Sequence, residues 1–304
     1  MSDSAWREEV CERARGAFLG LAVGDALGAT TEFMTPREIQ AQFGVHRKIR
    51  GGGWLGLKPG HVTDDTEMSL CIARALITAR DWDLRGIADN FVAWMKGKPI
   101  DIGSTCRKGI RNYLLNGVLE TPCNEWDAGN GAVMRMAPVA FFTLGDDHRL
   151  QRCALEQARL THHHPLSDSA CLSIGRMLHR ALLGADKVVL HEITRELIRI
   201  HPNFRFNHYN GQASGYVVDT LRTVFHHFFT TASFEECLIA VVNQGGDADT
   251  TGAIAGMLAG AHYGRAAIPE TWVRKLHGPV RQEVETAAET LIRLSPWWLS
   301  PEGT

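Results

Sequence analysis

Apolar residues recur at helical spacing along almost the whole chain, and this period is the strongest constraint on its fold. The clearest apolar helical faces are Val10, Ala14, Ala17, Phe18 and Leu21; Met68, Cys71, Ile72, Ala75 and Leu76; and Leu172, Met177, Leu178, Ala181 and Leu182. Capping-box patterns at Thr35–Glu38 and Ser233–Glu236 mark helix starts. Because alternating strand patterns are nearly absent, we expect an all-α protein with more than ten helices.

The chain shows no internal repeat, no low-complexity tract and no Pro/Ser-rich linker. A length of 304 residues is compatible with two domains or with one large one. With no boundary at which to divide the sequence, we predict a single domain over residues 1–304.

Charge and cysteine content exclude several classes of protein. The 32 Lys and Arg residues nearly balance the 34 Asp and Glu residues, so no overall basic field would recruit nucleic acid. The seven cysteines are scattered, and no Cys-x-x-Cys occurs, which favours reduced, mostly buried thiols. No segment has the pattern of a signal peptide or a transmembrane helix, and no heptad seam is visible. We therefore expect a cytoplasmic monomer.

Two short segments concentrate carboxylates and hydroxyls where apolar helices begin. The first contains Thr63, Asp64 and Asp65, and the second contains Asp247, Asp249 and Thr250. One interpretation is helix capping, since Asp and Thr at an N-terminus accept hydrogen bonds from free amides. Capping needs only one side-chain oxygen, however, and each segment offers two carboxylates within three residues. Hard oxygen donors without Cys or His suit Mg²⁺ or Mn²⁺, and this set has enough donors for two ions.

A shared metal centre would bring these two distant segments together and would predict metal-assisted hydrolysis. Three further polar elements fit such a site. Glu32 follows the Gly24–Gly28 segment, Asp101 precedes Gly103, Ser104 and Thr105, and Gly129, Asn130 and Gly131 precede an expected helix over 132–139. Free amides in the last of these would form an anion cradle, although each element alone is also explained by a turn and a cap.

The run Thr161-His162-His163-His164 suggests zinc at first sight. Consecutive histidines point in different directions, and no spaced Cys or His completes a tetrahedral set. We expect one of these rings to bind substrate and the others to be structural.

The order of these motifs resembles the ADP-ribosylglycohydrolase family. The motifs that carry the resemblance are Gly-Asp-Ala-Leu-Gly, Thr-Asp-Asp-Thr, Gly-Asn-Gly, Thr-His and Gly-Gly-Asp-x-Asp-Thr, between about Gly16 and Tyr263. The stretches 57–66 and 94–104 are most similar to the branch found in nitrogen-fixing bacteria. The resemblance implies an all-α fold with two Mn²⁺ or Mg²⁺ ions in a cleft and removal of ADP-ribose from a modified arginine. In the nitrogenase branch, this reaction reactivates the nitrogenase iron protein, under the control of PII-type signalling proteins and reversible membrane association.

The resemblance also implies roles for individual residues. Metal ligands would be Thr63, Asp64, Asp65, Asp247, Asp249 and Thr250. Substrate contacts would be Gly103, Ser104, Thr105, Gly129, Asn130, Gly131, His162 near the ribose and Tyr216 stacked on adenine. The catalytic residues would be Asp101, Glu32 and His162. Asp101 and Glu32 are the candidates for general acid/base catalysis, and we favour Asp101 because it adjoins the Gly-Ser-Thr contacts.

Two other classes of function remain as alternatives. The first is a helical metal-dependent phosphohydrolase or prenyl-transfer enzyme. It is disfavoured because the chain contains no His-Asp dipeptide and because Asp64-Asp65 is not followed by the spaced Asp of prenyl transfer. The second is a module that binds ADP-ribose without turnover, and the complete acidic set argues against it.

Overall fold

The computed structural model describes residues 3–211 and 213–300, and within them the chain forms fifteen α-helices and two 3₁₀ helices. The first eight α-helices are α1 (Asp3–Gly28), α2 (Pro36–Phe43), α3 (Asp64–Ala79), α4 (Leu84–Lys96), α5 (Ser104–Asn116), α6 (Ala137–Thr143), α7 (Asp147–Arg159) and α8 (Pro165–Leu182). The others are α9 (Lys187–Ile200), α10 (Val217–Thr230), α11 (Phe234–Val242), α12 (Ala248–Tyr263), α13 (Glu270–Lys275), α14 (Gly278–Arg293) and α15 (Pro296–Leu299). The 3₁₀ helices span Pro202–Phe204 and Arg265–Ala267. The only β pairings in the described ranges are two isolated bridges, so the all-α prediction is confirmed.

Helices α1 and α12 pack against each other through their backbones. A Cβ atom added at Gly20 would lie 2.3 Å from the carbonyl oxygen of Gly256, and one added at Gly24 would lie 2.0 Å from that of Gly252. Neither position can hold a side chain without separating the helices. This close contact fixes the C-terminal end of α1 beside the N-terminal end of α12.

Buried apolar side chains from α1 to α15 form one continuous cluster, as a one-domain chain requires. All seven cysteines are free and all but the exposed Cys123 are buried, as predicted for reduced, mostly buried thiols. In the C-terminal segment, Trp297 is buried and Trp298 packs against the cluster. None of the helices in residues 3–211 and 213–300 is both long and apolar enough to cross a membrane.

The predicted capping box at Thr35 is confirmed, since Thr35 and Glu38 exchange hydrogen bonds at the start of α2. The prediction of a helix over 132–139 is wrong. Residues 131–135 form turns, and α6 begins only at Ala137. Pro138 explains the later start: it fits the first turn of α6, but inside a helix it would lack its amide hydrogen bond.

Candidate functional site

A cleft of about 540 Å³ opens where α3, α5 and α12 begin. Acidic side chains form one part of its lining: Glu32, Asp64, Asp101, Asp247 and Asp249, with Thr250 beside them. The remaining lining includes Phe33, Trp54, Gly103, Ser104, Thr105, Gly129, Asn130, Gly131, His162, Ala213, Ser214 and Gly215. The structure therefore places both acidic segments and most of the predicted substrate contacts around a single cavity.

The start of α3 is capped by a side chain from α1. The Asp25 carboxylate accepts hydrogen bonds from the backbone amides of Thr63 (3.0 Å) and Thr66 (3.2 Å) and from both of their hydroxyls. The N-cap residue Thr63 makes no capping bond of its own. Asp64 and Asp65 are therefore not needed as caps, and the capping interpretation does not explain them.

At the start of α12, too, the acidic side chain is not used as a helix cap. Asp247 occupies the N-cap position, but its side chain makes no capping bond. Instead, its Oδ2 accepts a hydrogen bond from Asn130 Nδ2 at 2.7 Å, across the cleft lining. The Thr250 hydroxyl donates to Asp65 Oδ2 at 3.3 Å and so joins the two acidic segments directly. The predicted convergence of residues 185 positions apart is thus observed.

Six carboxylates gather in this region, and we call them the acidic cluster: Asp25, Glu32, Asp64, Asp65, Asp247 and Asp249. All but Asp247 are almost completely buried. No ion pair between described residues involves any of the six. Burying this much negative charge without a cation is strongly unfavourable.

The unfavourable burial of negative charge raises the pKa values of the carboxylates in the acidic cluster. Burial raises the pKa of Asp25 to about 7, while burial and the neighbouring Asp101 raise that of Asp64 to about 7. Burial, together with repulsion from Asp247, raises the pKa of Glu32 to about 8, against the hydrogen bond that Trp54 donates. Burial raises the pKa values of Asp65 and Asp249 well above the ordinary range. A bound cation would remove this penalty.

The donor atoms fit a divalent metal. Asp65 Oδ1 is buried and has no hydrogen-bond partner among the described residues, so it has a free ligating position. One carboxylate oxygen each from Glu32, Asp247 and Asp249 lie within 4.8 Å of one another. All the available ligands are hard oxygen donors, as Mg²⁺ and Mn²⁺ prefer.

Asp101 lies on the cleft just before α5 and stands apart from the acidic cluster in its environment. It is half-buried, and its Oδ1 accepts a hydrogen bond from the backbone amide of Ile102 at 2.8 Å. Burial raises its pKa, against that hydrogen bond, and Asp247 adds to the rise. The next amide, that of Gly103, donates to Asp64 Oδ2 at 3.1 Å and ties the start of α5 to that of α3.

The Gly129–Gly131 segment and His162 form another part of the lining. The backbone amide of Asn130 donates to the Gly215 carbonyl at 3.1 Å, so the prediction of a free anion-binding amide is wrong at this position. The reason is an isolated β-bridge between Gly129 and Tyr216, which no local sequence pattern announces. Both glycines lie close to the His162 ring: a Cβ added at Gly129 would come within 2.9 Å of its Nε2, and one added at Gly131 within 2.8 Å of its Cε1.

The histidine run divides as the sequence suggests. His162 lines the cleft, whereas the Nδ1 atom of His163 is 2.6 Å from the Thr121 carbonyl and His164 caps α8. Tyr216 lies outside the cleft lining with 40% of its surface exposed, although its neighbours Ser214 and Gly215 are part of the lining. Stacking of Tyr216 on adenine stays a prediction.

Sequence reasoning assigned no role to Asp25 or Trp54. Asp25 lies within the Gly-Asp-Ala-Leu-Gly motif and is fully buried, and a charged residue in the otherwise apolar second half of α1 is the signal that could have found it. Trp54 is more than half exposed, packs on Phe33 with ring centroids 5.2 Å apart, and donates its indole N–H to Glu32. A lone Trp in a glycine-rich loop gives no comparable signal.

Comparisons with known proteins agree with this geometry. A family model described as ADP-ribosylglycohydrolase matches residues 7–300. The chain is 53% identical over 286 residues to the ADP-ribosyl-[dinitrogen reductase] glycohydrolase of Rhodospirillum rubrum, covering 94% of this chain and 97% of that protein. It is 33% identical to the ADP-ribosylarginine hydrolase Tri1 of Serratia proteamaculans, covering 95% and 81% of the two chains. A solved ADP-ribosylglycohydrolase-related protein complex superimposes with a TM-score of 0.82 at 36% identity, covering 94% of this chain and 99% of the other.

Proposed function

The chain belongs to the ADP-ribosylglycohydrolase family, and from that premise we propose that it hydrolyses the N-glycosidic bond between ADP-ribose and a modified arginine of a protein. The observation that carries the proposal is the acidic cluster at the cleft, where carboxylates that are not needed as helix caps are buried together and form no ion pair with a described residue. Such an arrangement costs stability unless it binds a ligand.

The protein substrate that we propose is the nitrogenase iron protein, dinitrogenase reductase. The support is the identity of 53% to the Rhodospirillum rubrum protein, whose name specifies that substrate. A second candidate is a broader ADP-ribosylarginine hydrolase, favoured by the similarity to the Serratia proteamaculans protein. The two candidates share the bond and differ in the protein that presents it.

We propose that two divalent cations, Mn²⁺ or Mg²⁺, bind at the acidic cluster. The ligands would be Thr63, Asp64, Asp65, Asp247, Asp249 and Thr250, and the position of Glu32 beside Asp247 and Asp249 adds it to this set. Cations bound there would act as Lewis acids that orient the ribose hydroxyls and make water a stronger nucleophile.

Asp101 is the residue that we propose moves the proton. It lies on the cleft but outside the acidic cluster, so its carboxylate stays available to the reacting atoms. Its raised pKa suits a base that accepts a proton from the attacking water. The same carboxylate can orient the guanidinium of the modified arginine. The C1–N bond would break through an oxocarbenium-like state, and the proton that Asp101 takes from the attacking water would pass to the departing nitrogen, so that arginine is released as a guanidinium. Glu32 becomes the less suitable candidate, because its oxygens face the acidic cluster.

Substrate positioning falls to the rest of the lining. Gly103, Ser104 and Thr105 at the start of α5, together with Gly129, Asn130 and Gly131, would contact the diphosphate. His162 would contact the ribose. The absence of side chains at Gly129 and Gly131 leaves room for the His162 ring beside them.

Three further proposals rest on the family resemblance and the sequence pattern. A PII-type signalling protein would regulate the chain, the chain would act as a cytoplasmic monomer, and association with the membrane would be reversible and would require a partner.

The direct test is release of free ADP-ribose from purified arginine-ADP-ribosylated dinitrogenase reductase, with Mn²⁺ and after chelation. We expect release that depends on the metal, and no release from a serine-linked ADP-ribosyl protein. An unrelated arginine-ADP-ribosylated protein separates the two candidates, since equal rates on both proteins would favour the broader hydrolase. Metal-dependent binding of ADP-ribose without any release would contradict an enzymatic role.

A further inference from the structure

A fully buried arginine lies next to the cleft lining without a carboxylate partner among the described residues. Arg135 Nε donates to Gln157 Oε1 at 2.8 Å, and its Nη2 donates to the Gln157 carbonyl at 2.9 Å and to Thr161 Oγ1 at 2.8 Å. Its Nη1 faces two sulfur atoms, and the guanidinium stacks over the Phe91 ring at 4.9 Å. These contacts hold the Arg135 guanidinium in one orientation, because its N–H donors have fixed directions in a planar group.

The contact with Thr161 determines how that hydroxyl is used. A guanidinium can only donate hydrogen bonds, so Thr161 Oγ1 must accept from Arg135 and direct its own hydrogen elsewhere. His162 Nδ1 lies 2.8 Å from the same oxygen. Oγ1 has a second lone pair, but no acceptor other than Nδ1 contacts this hydroxyl among the described residues, so its hydrogen points to Nδ1, which carries no proton itself. In a neutral imidazole, the proton must then be on Nε2.

Nε2 is the nitrogen that remains for a ligand. It makes no hydrogen bond to any residue in the described parts of the chain, and the ring lines the cleft beside Gly129 and Gly131. We propose that Arg135, acting through Thr161, is a positioning residue that fixes His162 as the Nε2–H tautomer, so that the ring presents a hydrogen-bond donor to an oxygen atom of the ADP-ribosyl group. We call Arg135, Gln157, Thr161 and His162 the Arg135 network. The choice of ligand rests on the proposed function, whereas the tautomer does not.

Burial supports a permanent donor. Burial and, second to it, the nearby charge of Arg135 lower the pKa of His162 to about 3. The ring is therefore neutral at every pH at which the enzyme would work, and it donates through Nε2 without gaining a charge. This differs from a histidine that exchanges protons during turnover, and it assigns His162 to binding rather than to acid/base catalysis.

The tautomer can be measured directly in the wild-type protein. Selective ¹⁵N labelling of histidine and long-range ¹H–¹⁵N correlation spectra identify which ring nitrogen of His162 is protonated, with His162→Gln used for assignment. We expect a single neutral form with the proton on Nε2 from pH 5 to pH 9. A proton on Nδ1, or an imidazolium in that range, would overturn the proposal regardless of whether the chain hydrolyses anything.

The role in binding is tested with Thr161→Val and Thr161→Ser, using ADP-ribose and the Mn²⁺-loaded protein. Val removes the hydroxyl, so the His162 ring loses its anchor, and we expect ADP-ribose affinity and kcat/KM to fall about tenfold while kcat changes less. Ser retains the hydroxyl and should restore wild-type affinity and the wild-type ¹⁵N spectrum. Wild-type affinity in Thr161→Val would contradict the proposal.

Thr143→Val is the matched control for the loss of a buried hydroxyl. Thr143 Oγ1 lies 3.2 Å from His179 Nε2 in a second buried Thr–His pair, and neither residue lines the cleft. This variant should lose stability but keep its affinity for ADP-ribose. An equal loss of affinity in Thr143→Val and Thr161→Val would show a general structural effect and would overturn the positioning role. If wild-type protein binds no ADP-ribose, the proposed function fails, and the ¹⁵N spectrum still decides the tautomer.

Discussion

Two buried polar groups of residues border the cleft, and they are built in opposite ways. In the Arg135 network, all three guanidinium nitrogens face acceptors or sulfur atoms within the protein. In the acidic cluster, carboxylates crowd together, raise one another's pKa values, and leave Asp65 Oδ1 without a partner in the described chain. Buried polar groups with hydrogen-bond partners stabilise one structure, whereas those without partners lower the stability of the protein until a ligand pairs with them. The comparison therefore separates residues that stabilise the structure of the site from residues that are suited to bind a ligand.

The sharpest test of this contrast is Asp65→Asn, which keeps the shape of the side chain and removes its charge. We expect turnover to fall at least about 10³-fold, because a carboxylate that would bind the metal is lost. The metal-free variant should nevertheless melt at a higher temperature than metal-free wild type at pH 8, since the folded protein no longer has to bury a carboxylate or take up a proton to neutralise it. Asp101→Asn is the control: it should lose rate but retain Mn²⁺ binding, measured by calorimetry. A lower melting temperature for metal-free Asp65→Asn would contradict the assignment of the acidic cluster.

Removing the charge from the Arg135 network should have the opposite effect on stability. In Arg135→Met, the buried acceptors of Gln157 and Thr161 lose their donor, at a cost of about 1–3 kcal/mol each. Relief of the buried charge offsets part of this, so we expect a loss of about 2–4 kcal/mol in urea denaturation of the metal-free protein.

Arg149→Met is a suitable comparison for that measurement. Arg149 also stacks on a phenylalanine ring, at 4.4 Å from Phe142, but its ion pair is with the exposed Asp81. Exposed pairs contribute little, so we expect a loss below about 1 kcal/mol. If both variants lost the same amount, the Arg135 network would have no special structural role.

The sequence predicts most helices and brings the right segments together, because apolar period and motif order are local signals. It could not show that Asp25 caps α3, since that contact joins residues 38 positions apart and depends on the packing of α1. The capping interpretation of Asp64 and Asp65 was open for the same reason. Arg135 lies between Met134 and Met136, and nothing in one sequence tells that an arginine there is fully buried. Long-range hydrogen bonds decide these roles, and local patterns do not encode them.

The acidic cluster should also make the stability of the metal-free protein fall as pH rises from 6.5 to 8. The pKa values of Asp25 and Asp64 are raised to about 7 and that of Glu32 to about 8, so the folded chain holds protons in this window that the unfolded chain has lost. More protons on the folded state mean that stability decreases with pH, by about 1–2 kcal/mol per pH unit.

The pH range of this measurement matters, because buried histidines make stability change with pH in the opposite direction. Burial lowers the pKa of His179 and of His227 to about 4, so these rings favour unfolding as pH falls below about 6.5. Thermal melts at several pH values above 6.5 isolate the carboxylates. Saturating Mn²⁺ should abolish the slope, since bound carboxylates stay ionised. If the melting temperature in the presence of a chelator did not change with pH, the pKa values of these carboxylates would not be raised in the folded protein.

The smallest expected effect concerns the hydrogen bond that the Trp54 indole donates to Glu32. Trp54→Phe keeps a ring against Phe33 but removes the donor, so the pKa of Glu32 should rise further above its already elevated value. At pH 7, Glu32 would then carry its proton more often, and Mn²⁺ affinity should fall roughly threefold, in line with about 0.5–1 kcal/mol for one hydrogen bond. At pH 9.5, Glu32 is largely ionised in both proteins, and the difference should shrink. Calorimetric titrations at the two pH values measure this, and a loss of affinity that is independent of pH would place Glu32 outside the metal-binding set and leave the acidic cluster with one ligand fewer.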